Sequence, residues 1–191
     1  MGHVPRRTAA VSGRAGWRVP AGAGRSLSRA VLIGLAAGAV AILVNIAVLD
    51  AFDAAGIVTA RGGLQKLVRM WLAAPLTRLG ADGRWASLGL PGPDTPVFKT
   101  GFKVAVGLLM ALAYAVLLEP ALRGRWLQKG LAAALLFWLV NALAVLPLLG
   151  EGVAGLWTLT AGGLLCYAVA HTTFFLVLAW LYSVLSRFRH G

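Results

Sequence analysis

The chain has 191 residues, of which 59% are apolar and only 13% are charged. An ordinary soluble domain is roughly 45–50% apolar and about 25% charged, so the composition excludes a soluble protein with a single core. The formal net charge of +12 would suggest nucleic-acid binding on a soluble surface, but the basic residues lie beside long apolar segments. We therefore expect a lipid bilayer, and no nucleic acid, as the main partner. A lone cysteine, Cys166, allows no disulfide within the chain and no Cys-based metal cluster.

The N-terminal residues 1–26 are rich in Gly, Pro and Arg and contain no acid. Without apolar periodicity nothing offsets the entropy of folding, so this segment is predicted to be a disordered basic tail. An uncharged stretch at 30–49 follows and is long enough for a first membrane span. It exceeds the apolar core of a signal peptide, about 7–15 residues, and Asp50 follows it, so an uncleaved span is favoured.

The insert at 51–99 is mixed in composition and contains one patterned piece. Its apolar residues recur at i, i+3, i+4 and i+7, which predicts an amphipathic helix too short and too charged to span. We expect this helix to lie in the membrane interface, with Pro75 ending or kinking it. The apolar positions are Leu64, Leu67, Val68, Trp71, Leu72, Leu76 and Leu79, and the polar face carries Gln65, Lys66, Arg69 and Arg78.

Three further apolar stretches predict spans at about 100–122, 127–150 and 158–185, followed by a basic tail at 187–191. The membrane domain is therefore expected to occupy residues 27–186. The predicted fold class is all-α, an integral membrane four-helix bundle with an amphipathic interfacial helix between the first and second spans.

Orientation follows from the basic residues near the spans. With a cytoplasmic N-terminus, eleven of the 18 Lys and Arg residues lie inside and seven lie outside. We expect a multi-pass protein of the bacterial inner membrane with both termini in the cytoplasm and the insert on the outer face. The basic tails are then placed to attract anionic lipids.

The two halves of the chain resemble each other at an offset of 96 residues. A parallel duplication of a two-helix hairpin would give such a pattern, and chance similarity between apolar helices is the alternative. The second and fourth spans share a fainter match, in which Ala111 and Tyr114 correspond to Ala179 and Tyr182. The first and third spans share Arg29, Gly34–Ala37 and Leu43–Asn45 with Arg125, Gly130–Ala133 and Leu139–Asn141.

Polar groups inside the bilayer are costly and are therefore the natural candidates for a site. We expect Asn45 and Asn141 to hydrogen-bond between the first and third spans, with a polar solute path as the alternative. A stripe of small residues on the first span would let another backbone approach closely. The stripe consists of Ala30, Gly34, Gly38 and Ala41, and the candidate polar site consists of Asn45, Asn141, Tyr167 and His171.

His171 lies near the middle of the fourth span, where an imidazole needs a partner. A packing hydrogen bond is favoured over a proton or solute path and over a cofactor ligand. The spans hold no second histidine and no carboxylate at that depth, so no cofactor or metal is expected. Glu119 lies four residues before Arg123, which predicts an interfacial ion pair between them.

The second half carries Tyr114, Glu119, Trp126–Leu131, Pro147–Gly150 and His171 ahead of a basic C-terminus. In these residues, over about 90 positions, the chain resembles the YagU-type family of bacterial inner-membrane proteins. The order of spans and the insert after the first span are also similar. The resemblance implies a four-helix inner-membrane protein and brings no activity with it.

The sequence favours a non-enzymatic accessory, assembly or stress-related protein that packs against itself or a larger membrane complex. The alternative is a small transporter or channel component that uses Asn45, Asn141 and His171 as a polar path. A haem-bearing or other membrane enzyme is the third class.

Overall fold

The computed structural model describes residues 23–57, 59, 63–80, 83–84, 87–89, 91–92 and 94–187. The predicted N-terminal tail lies outside this range except for residues 23–26, which already belong to the first helix. The predicted C-terminal tail lies outside it except for Arg187, the last residue of the last helix.

Regular structure in the described ranges is helical. Helix α1 comprises Ala23–Ala54, α2 Gly63–Arg78, α3 Pro96–Ala121, α4 Trp126–Leu148 and α5 Ala161–Arg187. A short 3₁₀ turn at Val153–Gly155 lies between α4 and α5.

Four of these helices are long and apolar enough to cross a membrane, as the sequence predicted. They have mean hydropathies of 2.6 for α1, 2.1 for α3, 2.3 for α4 and 1.9 for α5. The boundaries differ most at the first span, which was predicted at 30–49, whereas the spanning helix comprises Leu27–Ala54. The prediction stopped at Asp50 because that residue is charged, but an exposed carboxylate does not interrupt the backbone hydrogen bonds of a helix.

Helices α1 and α5 form the centre of the bundle. They pack extensively against each other, while α3 packs on the outer side of α1 and α4 packs on α5. The core along these contacts combines small side chains with a few large ones. Its fully buried residues include Ala37, Ala41, Ala111, Ala133, Tyr114, Phe175 and Leu178.

The small-residue stripe of α1 is a packing surface, and its partner is α3. A Cβ atom added at Gly34 would lie 2.6 Å from the Ala115 Cβ, and one added at Gly38 would collide with the Ala111 Cβ. The stripe therefore joins the first span to the second span, α3, and not to the third span, α4, which carries Asn141. A stripe of small residues shows that some helix comes close, but it does not specify which one.

Helices α3 and α4 each contain one wide π turn, at Tyr114–Leu118 and Asn141–Val145. In each case the N–H that follows the turn bonds to the carbonyl of the first residue of the turn. Pro120 and Pro147 each lie two positions after the turn. Proline has no N–H and clashes with the carbonyl four residues earlier, and a π turn relieves this conflict inside a helix.

Helix α2 connects to two other parts of the chain through its basic residues. The Lys66 Nζ lies 3.2 Å from the Glu151 Oε1, and the Arg69 Nη1 lies 2.6 Å from the Asp94 Oδ1. The carboxylate of Glu151, in the loop after α4, is buried. Pro75 lies inside α2, so the helix does not end there.

Candidate intramembrane polar site

Asn45 connects the two central helices. It is buried on α1, and its Nδ2 donates a hydrogen bond of 2.8 Å to the carbonyl oxygen of Ala170 on α5. A carbonyl oxygen has two lone pairs, so it can accept this bond in addition to the bond within its own helix. The amide of Asn45 therefore fixes the depth at which α1 lies against α5.

Asn141 contacts the same region of α5 from the opposite side. It is the first residue of the π turn in α4, and its Nδ2 donates to the Tyr167 Oη over 2.9 Å. Tyr167 lies three residues before Ala170, so both asparagine amides bind one turn of α5.

The prediction that Asn45 and Asn141 bond to each other is wrong. Each amide donates to α5 because α5 lies between the helices that carry them. Asn45 follows Gly34 and Asn141 follows Gly130 at the same distance in the sequence, which predicts similar depths in the membrane. Similar depth alone does not bring two helices into contact.

His171 lies one turn after Tyr167, and the centroids of their rings are 4.6 Å apart with an interplanar angle of 50°. One turn further, Phe175 stacks on Phe137 of α4 at 4.8 Å. The imidazole is therefore on the side of α5 that faces α4, and it is only partly buried. Within the described part of the chain neither ring nitrogen makes a hydrogen bond, so the expected packing bond of His171 is not formed there.

The chemistry of this site is hydrogen bonding by two amides, one phenol and one imidazole. Among the described residues, no group of three or more His, Cys, Asp or Glu side chains could hold a metal ion. The neighbouring Thr172 donates to the Ala168 carbonyl of its own helix over 2.8 Å. His171 is the member of the site that makes no hydrogen bond within the described residues.

A second polar cluster lies at the end of the bundle where α3 meets α4. The Glu119 Oε1 accepts from the Lys129 Nζ at 2.6 Å, and its Oε2 accepts from the Tyr114 Oη at 2.7 Å. The Lys129 Nζ also donates to the Glu119 carbonyl oxygen over 3.0 Å. The predicted ion pair between Glu119 and Arg123 is wrong, because Glu119 pairs with Lys129 instead. Helix α3 ends at Ala121, so the i, i+4 relation does not reach Arg123.

One signal in the sequence points to this cluster. A four-residue connection between α3 and α4 places the first turn of α4 beside the last turn of α3. A lysine in that turn is within reach of a glutamate at the end of α3, whereas the i, i+4 rule relates only residues of the same helix.

Two cavities flank Glu119. The first, here called the basic cavity, has a volume of about 350 Å³. It lies between the end of α3, the start of α4 and the end of α5. The second, of about 490 Å³, lies between α1, α3 and α5 and includes Ala30 of the stripe in its wall. The basic cavity is lined by Glu119, Gly124, Arg125, Trp126, Lys129, Ala179, Ser183 and Arg187.

No protein-family model matches the chain, and no curated protein or solved structure compared with it does so either.

Proposed function

We propose that this chain is a non-enzymatic accessory protein of the bacterial inner membrane that packs against another membrane helix, in a second copy or in a larger complex. The observation that supports this is the imidazole of His171, which is partly exposed near the middle of a span and makes no hydrogen bond within the described residues. A polar group left unsatisfied in hydrocarbon costs several kcal/mol. A polar group of a partner helix would remove that cost.

The test compares three substitutions on α5 in protein purified in mild detergent. His171→Ala removes both hydrogen-bonding nitrogens, so the bound chain or second copy is lost in native mass spectrometry. His171→Gln keeps one donor group and one acceptor and retains it. Thr172→Val is the matched control, because its hydroxyl bonds only to its own helix. Retention of the same bound chains by His171→Ala contradicts the proposal.

A small transporter or channel component is the second candidate. It is favoured by the convergence of Asn45, Asn141 and His171 on adjacent turns of α5. His171→Gln separates the two functions, because an imidazole can take up and release a proton and an amide cannot. A variant that keeps its partner but loses a pH-dependent flux identifies the transporter. An absorption band in the purified protein identifies a haem-bearing enzyme instead.

We also propose that both termini are cytoplasmic, so that the 51–99 insert lies on the outer face. The excess of basic residues on the side of the termini supports this orientation, and anionic lipids are the expected partners of the tails. Reporter fusions after His190 and near Gly92 are expected to report cytoplasm and outer face respectively. We further propose that the chain is a member of the YagU-type family, which it resembles in the order of its spans.

Helix α2 is proposed to be amphipathic and to lie in the outer interface. Trp71 is 62% exposed, while Lys66 is paired with Glu151 of the α4–α5 loop and Arg69 with Asp94 of the insert. This arrangement leaves the indole free to enter the interface.

Trp71→Asp tests the position of α2 and is expected to weaken its membrane association by about 3 kcal/mol, whereas Trp71→Leu keeps most of it. In a Cys166→Ala background, a cysteine at Leu67 reports the result through a water-soluble thiol reagent. We expect protection in the parent and in Trp71→Leu, and labelling in Trp71→Asp. Equal labelling of all three indicates a solvated helix.

A further inference from the structure

The basic cavity carries more positive than negative charge. Its charged residues are three bases, Arg125, Lys129 and Arg187, and one acid, Glu119. Its volume of about 350 Å³ lies at the lower end of the range of small-molecule sites, about 300–1,000 Å³. A hydroxyl and an indole N–H, from Ser183 and Trp126, add neutral donors to the wall.

The one carboxylate of the cavity is already engaged. Its two oxygens accept from Lys129 and Tyr114 at 2.6 and 2.7 Å. Neither Arg125 nor Arg187 forms an ion pair within the part of the chain that the structure describes. Two guanidinium groups therefore line one cavity without an ion-pair partner among the described residues.

We propose that the basic cavity binds a phosphate group, with Arg125 and Arg187 as its charged contacts. The planar fork of donors on a guanidinium matches two phosphate oxygens at once. Basic pockets between membrane helices on the cytoplasmic side take the headgroups of acidic lipids, and the α3–α4 connection is on the side predicted to be cytoplasmic. The phosphodiester of an acidic lipid and a soluble phosphate both supply this chemistry, so the experiment has two arms.

In the first arm, the full chain is placed in nanodiscs of phosphatidylcholine mixed with phosphatidylglycerol, and native mass spectrometry counts the lipids retained after transfer to detergent. In the second arm, inorganic phosphate is titrated by calorimetry onto protein in nanodiscs of phosphatidylcholine alone. Selective retention of phosphatidylglycerol identifies a lipid headgroup, and binding in the second arm alone identifies a soluble phosphate. Arg125→Gln and Arg187→Gln are each expected to lower the binding about tenfold, the value of one charged hydrogen bond.

Arg123→Gln is the matched control. Arg123 is exposed in the same connection and carries the same charge, but it does not line the basic cavity. Its substitution is expected to change binding by less than about twofold. An equal loss in Arg123→Gln and Arg125→Gln means diffuse attraction to the basic surface and overturns the proposal, as does the absence of binding in both arms. Unchanged elution in size-exclusion chromatography verifies that the variants fold.

Discussion

The hairpins α1–α3 and α4–α5 share a glycine pattern in sequence but are packed differently. In the first, added methyl groups at Gly34 and Gly38 would collide with alanines of α3. In the second, a methyl at Gly130 would lie 3.1–3.2 Å from its nearest neighbours on α5, and the helices are also held by the stacked rings of Phe137 and Phe175. In the first hairpin the glycines therefore leave no room for a methyl group, whereas in the second hairpin a methyl group needs only a small shift of its neighbours.

The asparagines differ in a related way. Asn45 donates from the first hairpin to the second, whereas Asn141 donates within its own hairpin. The Lys129–Glu119 pair is a further connection between the hairpins, at the end of the bundle. The largest effects are therefore expected where the two hairpins are joined or where the first one is tightest.

Lys129→Met is expected to have the largest effect. The ammonium group and its partner carboxylate are both mostly buried, with 15% and 24% of their side chains exposed. Removing one partner of a buried pair costs about 3–5 kcal/mol, and we expect the lower end here because some water reaches this pair. The free energy of unfolding in mixed micelles measures it. Lys103→Met, at an exposed lysine of α3, is the control and should be close to neutral.

Gly38→Ala is expected to destabilise the first hairpin by about 1–3 kcal/mol, the usual cost of overpacking. The double variant Gly38→Ala/Ala111→Gly moves the methyl group to the other helix and should recover much of the loss. Gly101→Ala adds the same methyl where no atom lies within 4 Å and serves as the control. Equal effects at positions 38 and 101 would show that α1 and α3 are not in close contact.

Asn45→Ala is expected to cost about 0.6–1.7 kcal/mol, between the average and the maximum found for hydrogen bonds between membrane helices. Asn141→Ala removes a bond of the same kind and should cost about as much. A second measurement tests which hairpins each asparagine connects. Cysteines at positions 45 and 170 should cross-link through a short reagent, and this cross-link joins the two hairpins. Cross-linking between positions 45 and 141 with higher yield contradicts the arrangement around α5.

Gly130→Ala is expected to have the smallest effect, below about 1 kcal/mol, because its neighbours at 3.1–3.2 Å, the end of Leu176, the Phe175 carbonyl oxygen and the Ala179 Cβ, need to give by only a small distance, and because alanine favours the helix. The same unfolding assay as for Gly38→Ala measures it. A cost equal to that of Gly38→Ala would remove the difference between the two hairpins.

The number and type of the spanning helices could be predicted from the sequence because hydropathy over about 20 residues is a local property. The depth of the polar residues along each predicted span could also be estimated from the sequence, since it follows from the position of the residue within an apolar stretch. Their partners could not be predicted. Which helix meets Asn45 or Gly38 depends on the arrangement of all four spans, and hydrophobic periodicity does not encode it.

Glu119 illustrates the same limit at a helix end. The i, i+4 relation to Arg123 assumed that α3 continues, but the helix ends at Ala121 and Lys129 of the next helix takes the position. The π turns were missed for a related reason. Hydropathy locates a span, but it does not show that the backbone adjusts one turn before Pro120 and Pro147.

The π turn of α4 also bears on how the two hairpins are related. Residues 43–49 read Leu-Val-Asn-Ile-Ala-Val-Leu, and 139–146 read Leu-Val-Asn-Ala-Leu-Ala-Val-Leu. When Ala142 is skipped, six of the seven positions are identical. Helix α1 is a regular α-helix through this stretch, whereas Ala142 lies in the π turn.

If the hairpins descend from one ancestor, the wide turn is a single-codon insertion in the second copy. In a regular α-helix one added residue would advance every later side chain by about 100° around the helix axis. A π turn takes up the added residue locally, so the matched residues after it keep the faces they have in α1. Loss of the codon for Ala142 is therefore expected to close the wide turn and to bring the ring of Pro147 against the carbonyl of the preceding turn, while the amide of Asn141 and the Lys66–Glu151 ion pair keep their places.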